Sequence, residues 1–271
     1  MADTSTGKAA KERVAEARDA ASQRVTEARD VASQRVSDAR DAAAQRVADA
    51  TASASDFIER QKPRLRGVSH QWAFFASLVA GSALIVAAPT TRATLAVGVY
   101  AISLSALLGV SALYHRVHWV RPNVRRWMRR LDHSMIFLLI AGTVTPFCVL
   151  VLDGPFADAV LVAVWVGAAA GTVVEMIWVD APKWISTTVY MAVGWIAVLG
   201  FPAIVVAAGV GAGALIAAGG ILYTAGAVIY ARQRPDPRPA SFGYHEIFHV
   251  LVIAAAVAHF AAIALYALPA G

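Results

Sequence analysis

The stretch Thr94-Leu-Ala-Val-Gly-Val-Tyr-Ala-Ile-Ser-Leu-Ser-Ala-Leu-Leu-Gly-Val-Ser-Ala-Leu-Tyr-His115 decides the fold class. It holds no Lys, Arg, Asp or Glu over the roughly 20 residues that a helix needs to cross a ~30 Å hydrocarbon layer. Stretches of the same kind lie near 70–89, 92–115, 132–152, 156–178, 184–206, 209–231 and 243–267. Seven spans are therefore expected, with a soft break between the fifth and sixth, where Phe201-Pro202 and a Gly-rich run blur the boundary. The 271 residues are 58% hydrophobic and 15% charged, which excludes an ordinary soluble domain. The single cysteine, Cys148, allows neither an intrachain disulfide nor a cysteine-based zinc site. Inside an apolar stretch it reads as a small buried hydrophobe. The polar N-terminus shows no cleavable signal, so the first span is expected to act as an uncleaved insertion signal.

Charge orients these spans. Residues 1–60 carry 10 basic and 11 acidic side chains, whereas residues 61–271 carry 14 and 7. The basic excess gathers in a few connections. These are Lys62, Arg64 and Arg66; Arg116, Arg121, Arg125, Arg126, Arg129 and Arg130; Lys183; and Arg232, Arg234 and Arg238. If seven spans alternate, all of these lie on one side, and only Arg92, with Asp153 and Asp158, lies on the other. The positive-inside rule then puts the N-terminus in the cytoplasm and the C-terminus outside. The high net charge of +6 is read as a topology marker, not as nucleic-acid binding.

Ahead of the spans, Arg13-Val14, Arg24-Val25, Arg35-Val36 and Arg46-Val47 open copies of an 11-residue repeat. Eleven residues make three turns of a slightly wide helix. Val14, Ala17, Ala21, Val25, Ala28, Ala32, Val36, Ala39 and Ala43 then form one narrow stripe of small residues. Residues 1–60 are expected to be a cytoplasmic helical arm, read first as a solvated, partly frayed helix appended to the membrane domain and second as a weak coiled-coil or membrane-surface arm that could meet a protein partner or a second copy. Residues 61–69 form a basic juxtamembrane hinge, and residues 70–271 the transmembrane domain.

Polar residues cluster at the ends of three spans, in Ser111-Ala-Leu-Tyr-His115, Leu131-Asp132-His133-Ser134 and His245-Glu246-Ile247-Phe248-His249. Topology puts His115, Asp132, His245 and His249 at one depth on the cytoplasmic side. His245 and His249 share a helix face and can hold one metal ion, with His115 as the third ligand. Three protein ligands and an open position are the pattern of catalytic zinc. Asp132 could orient or deprotonate a water there. Ser111 lies one turn before His115 and on the same face, where packing would equally explain a serine. An i, i+4 histidine pair alone is as well explained by headgroup or backbone hydrogen bonds. Three histidines and an acid at one rim favour a metal, because polar groups in a bilayer are costly without a role.

His70, His118 and His133 are read as interfacial or supporting groups. His259 lies too deep for the same ion and is read as a buried, hydrogen-bonded histidine. Glu175 is expected to snorkel or to make a helix-pair contact. His245-Glu246-Ile247-Phe248-His249 also spells the zincin string, in which Glu246 would be a general base. That reading explains neither Asp132 nor the Ser-x-x-x-His unit.

These blocks resemble the haemolysin III family, bacterial relatives of the progestin and adipoQ receptors. The match runs through Ser111 to His115, through Leu131 to Ser134 and on to Ala141-Gly-Thr-Val-Thr-Pro146-Phe147, and through Phe242-Gly-Tyr-His245 to His249. It covers about residues 70–267. The resemblance implies an all-α seven-helix bundle in a bacterial inner membrane, with zinc held by His115, His245 and His249. It also implies that Asp132 holds a water at the zinc and that Ser111 supports the site. In relatives the position of Glu246 can be Gln, which argues against an obligatory base there. Animal relatives are receptors linked to ceramide amide hydrolysis, and alkaline ceramidases share the site logic. Bacterial members are named for haemolysis and are associated with membrane-lipid or membrane-energetics homeostasis. A zinc-dependent hydrolase of a lipid amide or ester, with membrane lipids as its partners, is the expected function. A zinc-stabilised sensor without turnover, a permeabilising protein and an intramembrane metalloprotease are the alternatives.

Overall fold

A computed structural model describes residues 4–60 and 63–271; the side chains of residues 4–17, 19–21, 51–52 and 54–60 fall outside the description. Lys62 of the basic hinge and the side chains of Val14, Ala17 and Ala21 in the stripe therefore lie outside the described residues. The chain divides into two units at Ile58/Glu59.

The first unit holds α1 (Thr4–Arg60), a helix of 57 residues, up to Ile58. Gln34 Nε2 donates to Asp38 Oδ1 and Gln45 Nε2 to Asp49 Oδ1, each at 2.9 Å. These i, i+4 bonds recur eleven residues apart, at the sequence repeat, and support the helix modestly. Val25 and Val36 of the stripe are 68% and 69% exposed. By helix arithmetic, Arg18, Arg29 and Arg40 border one edge of the stripe, and Arg24, Arg35 and Arg46 the other.

The second unit is helical throughout, with no strand among the described residues beyond one bridge between Arg238 and Phe242. Its helices are α2 (Val68–Val86), α3 (Thr91–Arg116), α4 (Pro122–Leu150), α5 (Gly154–Ile177), α6 (Lys183–Ile196), α7 (Phe201–Arg232) and α8 (Tyr244–Ala262). A 3-10 turn, Ala197–Gly200, joins α6 to α7. Neighbours in sequence pack together, and α2 also meets α8, which closes the ring. The core holds Val97, Tyr100, Phe137, Val164 and Ile263, each at most 1% exposed.

By length and apolarity, six helical stretches among the described residues can cross a membrane. One of them, Lys183–Arg232, is 50 residues long. A straight helix of that length would reach about 75 Å, more than twice the hydrocarbon thickness. It does not run straight. Gly209 breaks α7 at φ 87° and ψ 168°, a backbone conformation open to glycine. Beyond it, Gly213 comes back beside Phe201, whose Cζ lies 3.6 Å from where a Gly213 side chain would begin. In an unbroken helix those residues would be about 18 Å apart. The break falls at Gly209, and Pro202 sits in the first turn of α7, where its missing N–H costs nothing.

One connection differs from expectation. The apolar pattern places a loop up to Leu131 between the second and third spans, but α4 begins at Pro122. Arg125, Arg126, Arg129 and Arg130 therefore ride on its first turns. Arg129 and Arg126 both clamp Asp180, and Arg129 also reaches the Val179 carbonyl, so the start of α4 is tied to the α5–α6 connection.

Candidate metal centre

His115 occupies the last turn of α3, Asp132 the third turn of α4, and His245 and His249 the first two turns of α8. Two local devices bring these ends together. Gly67, at φ 77°, starts α2 against the end of α3. A side-chain carbon on Gly67 would stand 2.6 Å from His115 Cβ, so glycine is needed for both its backbone and its size. The hinge also pairs with the segment before α8, through Arg64 N–H to the Ala240 carbonyl at 3.1 Å and Leu65 N–H to the Ser241 carbonyl at 3.2 Å.

The three imidazoles converge. His245 Nε2 lies 3.2 Å from His115 Nε2, and one nitrogen from each of His115, His245 and His249 falls within 4.8 Å of the others. His115 and His249 are 6% and 2% exposed. Asp132 Oδ2 stands 3.6 Å from His115 Nε2, and the Ser111 hydroxyl donates to the Asp132 carboxylate. His70, buried on α2, stacks on His249 with ring centroids 3.7 Å apart and planes 10° from parallel.

These residues could hold one metal ion, and zinc geometry gives a spacing to compare. Two Zn–N bonds of 2.0–2.1 Å at a tetrahedral angle put their nitrogens about 3.3 Å apart. The His115–His245 separation of 3.2 Å already matches that spacing. With the proton of each ring on Nδ1, the facing Nε2 atoms of His115 and His245 would both present lone pairs to one ion. His249 Nδ1 is buried without a hydrogen-bond partner, so one more imidazole nitrogen in this group is unmatched by the protein. The donor set is three imidazole nitrogens beside one carboxylate, as catalytic zinc sites use.

The zincin reading of Glu246 does not match its contacts. Its Oε1 accepts from Arg66 Nε at 2.5 Å, and its Oε2 accepts from the Gly243 N–H at 2.8 Å. Both carboxylate oxygens are thus engaged in capping α8 and in pairing with the hinge. The carboxylate beside the histidines is Asp132.

Of its two expected roles, Glu175 takes the helix contact and not the snorkelling one. A snorkelling carboxylate would reach water, but Glu175 is 2% exposed. It accepts from Tyr190 Oη at 2.9 Å, faces His133 Nδ1 at 3.2 Å and takes a further bond from Ser186. This network joins α4, α5 and α6 beside the histidines. His259 follows its expectation, with Nε2 3.2 Å from the Ile216 carbonyl.

A cavity of about 710 Å³ opens from this centre into the bundle. His70, Ser111, Asp132, His245 and His249 line one end, and apolar side chains such as Phe147, Leu152, Val160 and Ile204 line the other. The volume lies within the range of small-molecule sites.

The model of the family described as Haemolysin-III related matches residues 58–260, and the chain belongs to that family. It is 32% identical to Hemolysin-3 of Bacillus cereus over 180 residues, covering 66% of this chain and 78% of that protein. It is 29% identical to a Hemolysin-3 homolog of Bacillus subtilis (strain 168), over 62% of this chain and 75% of the relative. It is also 28% identical to the monocyte to macrophage differentiation factor of Homo sapiens, over 62% of this chain and 68% of that one.

Proposed function

We propose that this haemolysin-III-related protein is a zinc-dependent hydrolase of a lipid amide or ester. It would cross a bacterial inner membrane seven times, with the N-terminus cytoplasmic. The return of the chain at Gly209 supports seven crossings, and the basic residues on alternate connections support the orientation. One juxtaposition carries the functional reading. Three imidazoles and Asp132 gather at one end of an apolar cavity of about 710 Å³, with Asp132, His245 and His249 in its lining.

His115, His245 and His249 would hold the metal. When bound, zinc would polarise a carbonyl and lower the pKa of a water to roughly 7. Asp132 Oδ2 would take a proton from the attacking water and pass it to the departing nitrogen or oxygen. Ser111 would fix the Asp132 carboxylate by its hydrogen bond, and His70 would hold the His249 ring by stacking. The apolar walls would seat the tail and keep bulk water from the reacting bond. The basic residues around the mouth suit lipids with anionic or interfacial headgroups.

Metal content and turnover of a lipid amide and ester panel test the proposal on wild type and Asp132→Asn. About one zinc per chain in both, with turnover lower by roughly 10²–10⁴-fold in Asp132→Asn, is the expected result. Equal turnover would remove Asp132 from the mechanism.

A second reading is favoured by the placement of the histidines on α3 and α8, beside Asp132 on α4. A metal there could staple helix ends without turnover, and wild type would then lose thermal stability on chelation while consuming no lipid. The name of the Bacillus cereus relative raises permeabilisation, for which dye release from liposomes should survive loss of the histidines. For residues 1–60 we propose contact with an acidic surface. A second copy on the Val/Ala stripe would set arginine against arginine.

A further inference from the structure

His259 and Tyr223 face each other midway along the cavity, and neither belongs to the metal centre. His259 lies ten residues beyond His249 on α8, about 15 Å deeper at the helix rise. Both side chains line the cavity, with ring centroids 5.5 Å apart. The Ile216 carbonyl can only accept, so His259 carries its proton on Nε2 and donates it there. In the neutral ring, Nδ1 is then an acceptor. His259 Nδ1 is buried without a hydrogen-bond partner, and so is Tyr223 Oη. Gly219 makes this placement possible, because a side-chain carbon there would collide with the His259 ring.

A buried acceptor and a buried hydroxyl, both unmatched, are costly inside an apolar bundle. They do not bond each other. They are complementary to one hydroxyl, which would donate to His259 Nδ1 and accept from Tyr223 Oη–H. A plain methylene at that point would leave both unmatched.

We propose that Tyr223 and His259 form a second polar subsite that selects lipids carrying a hydroxyl partway down the acyl chain. The inference rests on the reading of the cavity as a lipid-tail site. An extended chain advances about 3.3–3.6 Å for every three bonds, so 15 Å corresponds to roughly a dozen bonds from the histidines. The hydroxyl therefore falls near carbon 12 of a chain whose carbonyl carbon lies at the metal centre.

The test measures binding of stearate, 12-hydroxystearate and 2-hydroxystearate to the full-length protein in detergent, for wild type, Tyr223→Phe and His259→Ala. Tyr223→Phe removes one oxygen and keeps the ring. Wild type should bind 12-hydroxystearate about 5- to 100-fold tighter than stearate, the range set by one satisfied buried pair. The 2-hydroxy isomer, whose hydroxyl stays beside the headgroup, should gain no such preference. Tyr223→Phe should cut the preference sharply while binding stearate as wild type does, and His259→Ala should cut it as well. Stearate binding without preference for the 12-hydroxy isomer overturns the subsite and leaves the lipid cavity standing. Preference that survives Tyr223→Phe also overturns it. No binding of any of the three overturns both the subsite and the lipid reading.

Discussion

Asp132 and His133 are adjacent on α4, yet they feed two polar groups of opposite character. His133 joins Glu175, Tyr190 and Ser186, where donors and acceptors match and both Glu175 oxygens are used. Asp132 joins Ser111 and three imidazoles, where two Nε2 atoms face each other and His249 Nδ1 is buried with no hydrogen-bond partner. The first group is a closed network of the kind that ties helices together. The second is short of positive charge, as a metal site is before its ion is counted. Polarity at this end of the bundle therefore does not by itself mark a site. The balance of donors against acceptors does.

The contrast can be broken by substitution. His249→Ala should have the largest effect, lowering zinc from about one per chain to near none and abolishing lipid turnover, read by metal analysis and assay. Retained zinc would mean that the lone pairs do not hold the ion. Glu175→Ala should leave metal content intact but destabilise the protein by about 3 kcal/mol, because it strands the partners of a buried carboxylate. Thermal unfolding in detergent measures this, and unchanged stability would make the network dispensable. Glu246→Gln should cost about 1.5 kcal/mol through its weakened bond to Arg66 and leave turnover within a few-fold of wild type. Loss of turnover there would revive the zincin reading.

The smallest effect concerns pH. Burial raises the Asp180 carboxyl, but the Arg129 and Arg126 guanidiniums together outweigh it and hold the group below its ordinary value. A carboxyl depressed in the fold stabilises fully above its unfolded pKa of about 3.9 and stops doing so as pH falls through the folded value. The clamp between α4 and the α5–α6 connection should therefore weaken only in acid. Because Asp180 is half exposed, the change in the acid limb of the stability curve should be small, and Asp180→Asn should abolish it.

Much of this was legible in the sequence. The apolar stretches, the charge asymmetry and the three polar blocks indicated a helical membrane bundle and gathered His115, Asp132, His245 and His249 at one rim. The i, i+4 spacing of His245 and His249 fixed their common face before any fold was known. Other features were not legible. Nothing local links Arg66 to Glu246 across 180 positions, or separates a capping glutamate from a catalytic one in the same five-residue string. His70 was legible only as an interfacial or supporting histidine, because its stacking on His249 depends on how α2 meets α8.

The sequence by itself determined the class of fold, the ends of the helices that carry polar groups and the identity of the candidate ligands. These follow from the cost of exposing backbone and charge to hydrocarbon, which each segment meets on its own. The tertiary structure decided which acids face the histidines, which are engaged elsewhere, and where the cavity and its deep Tyr223–His259 pair lie. Those outcomes depend on side chains from different helices meeting within hydrogen-bond distance, and only packing brings them together.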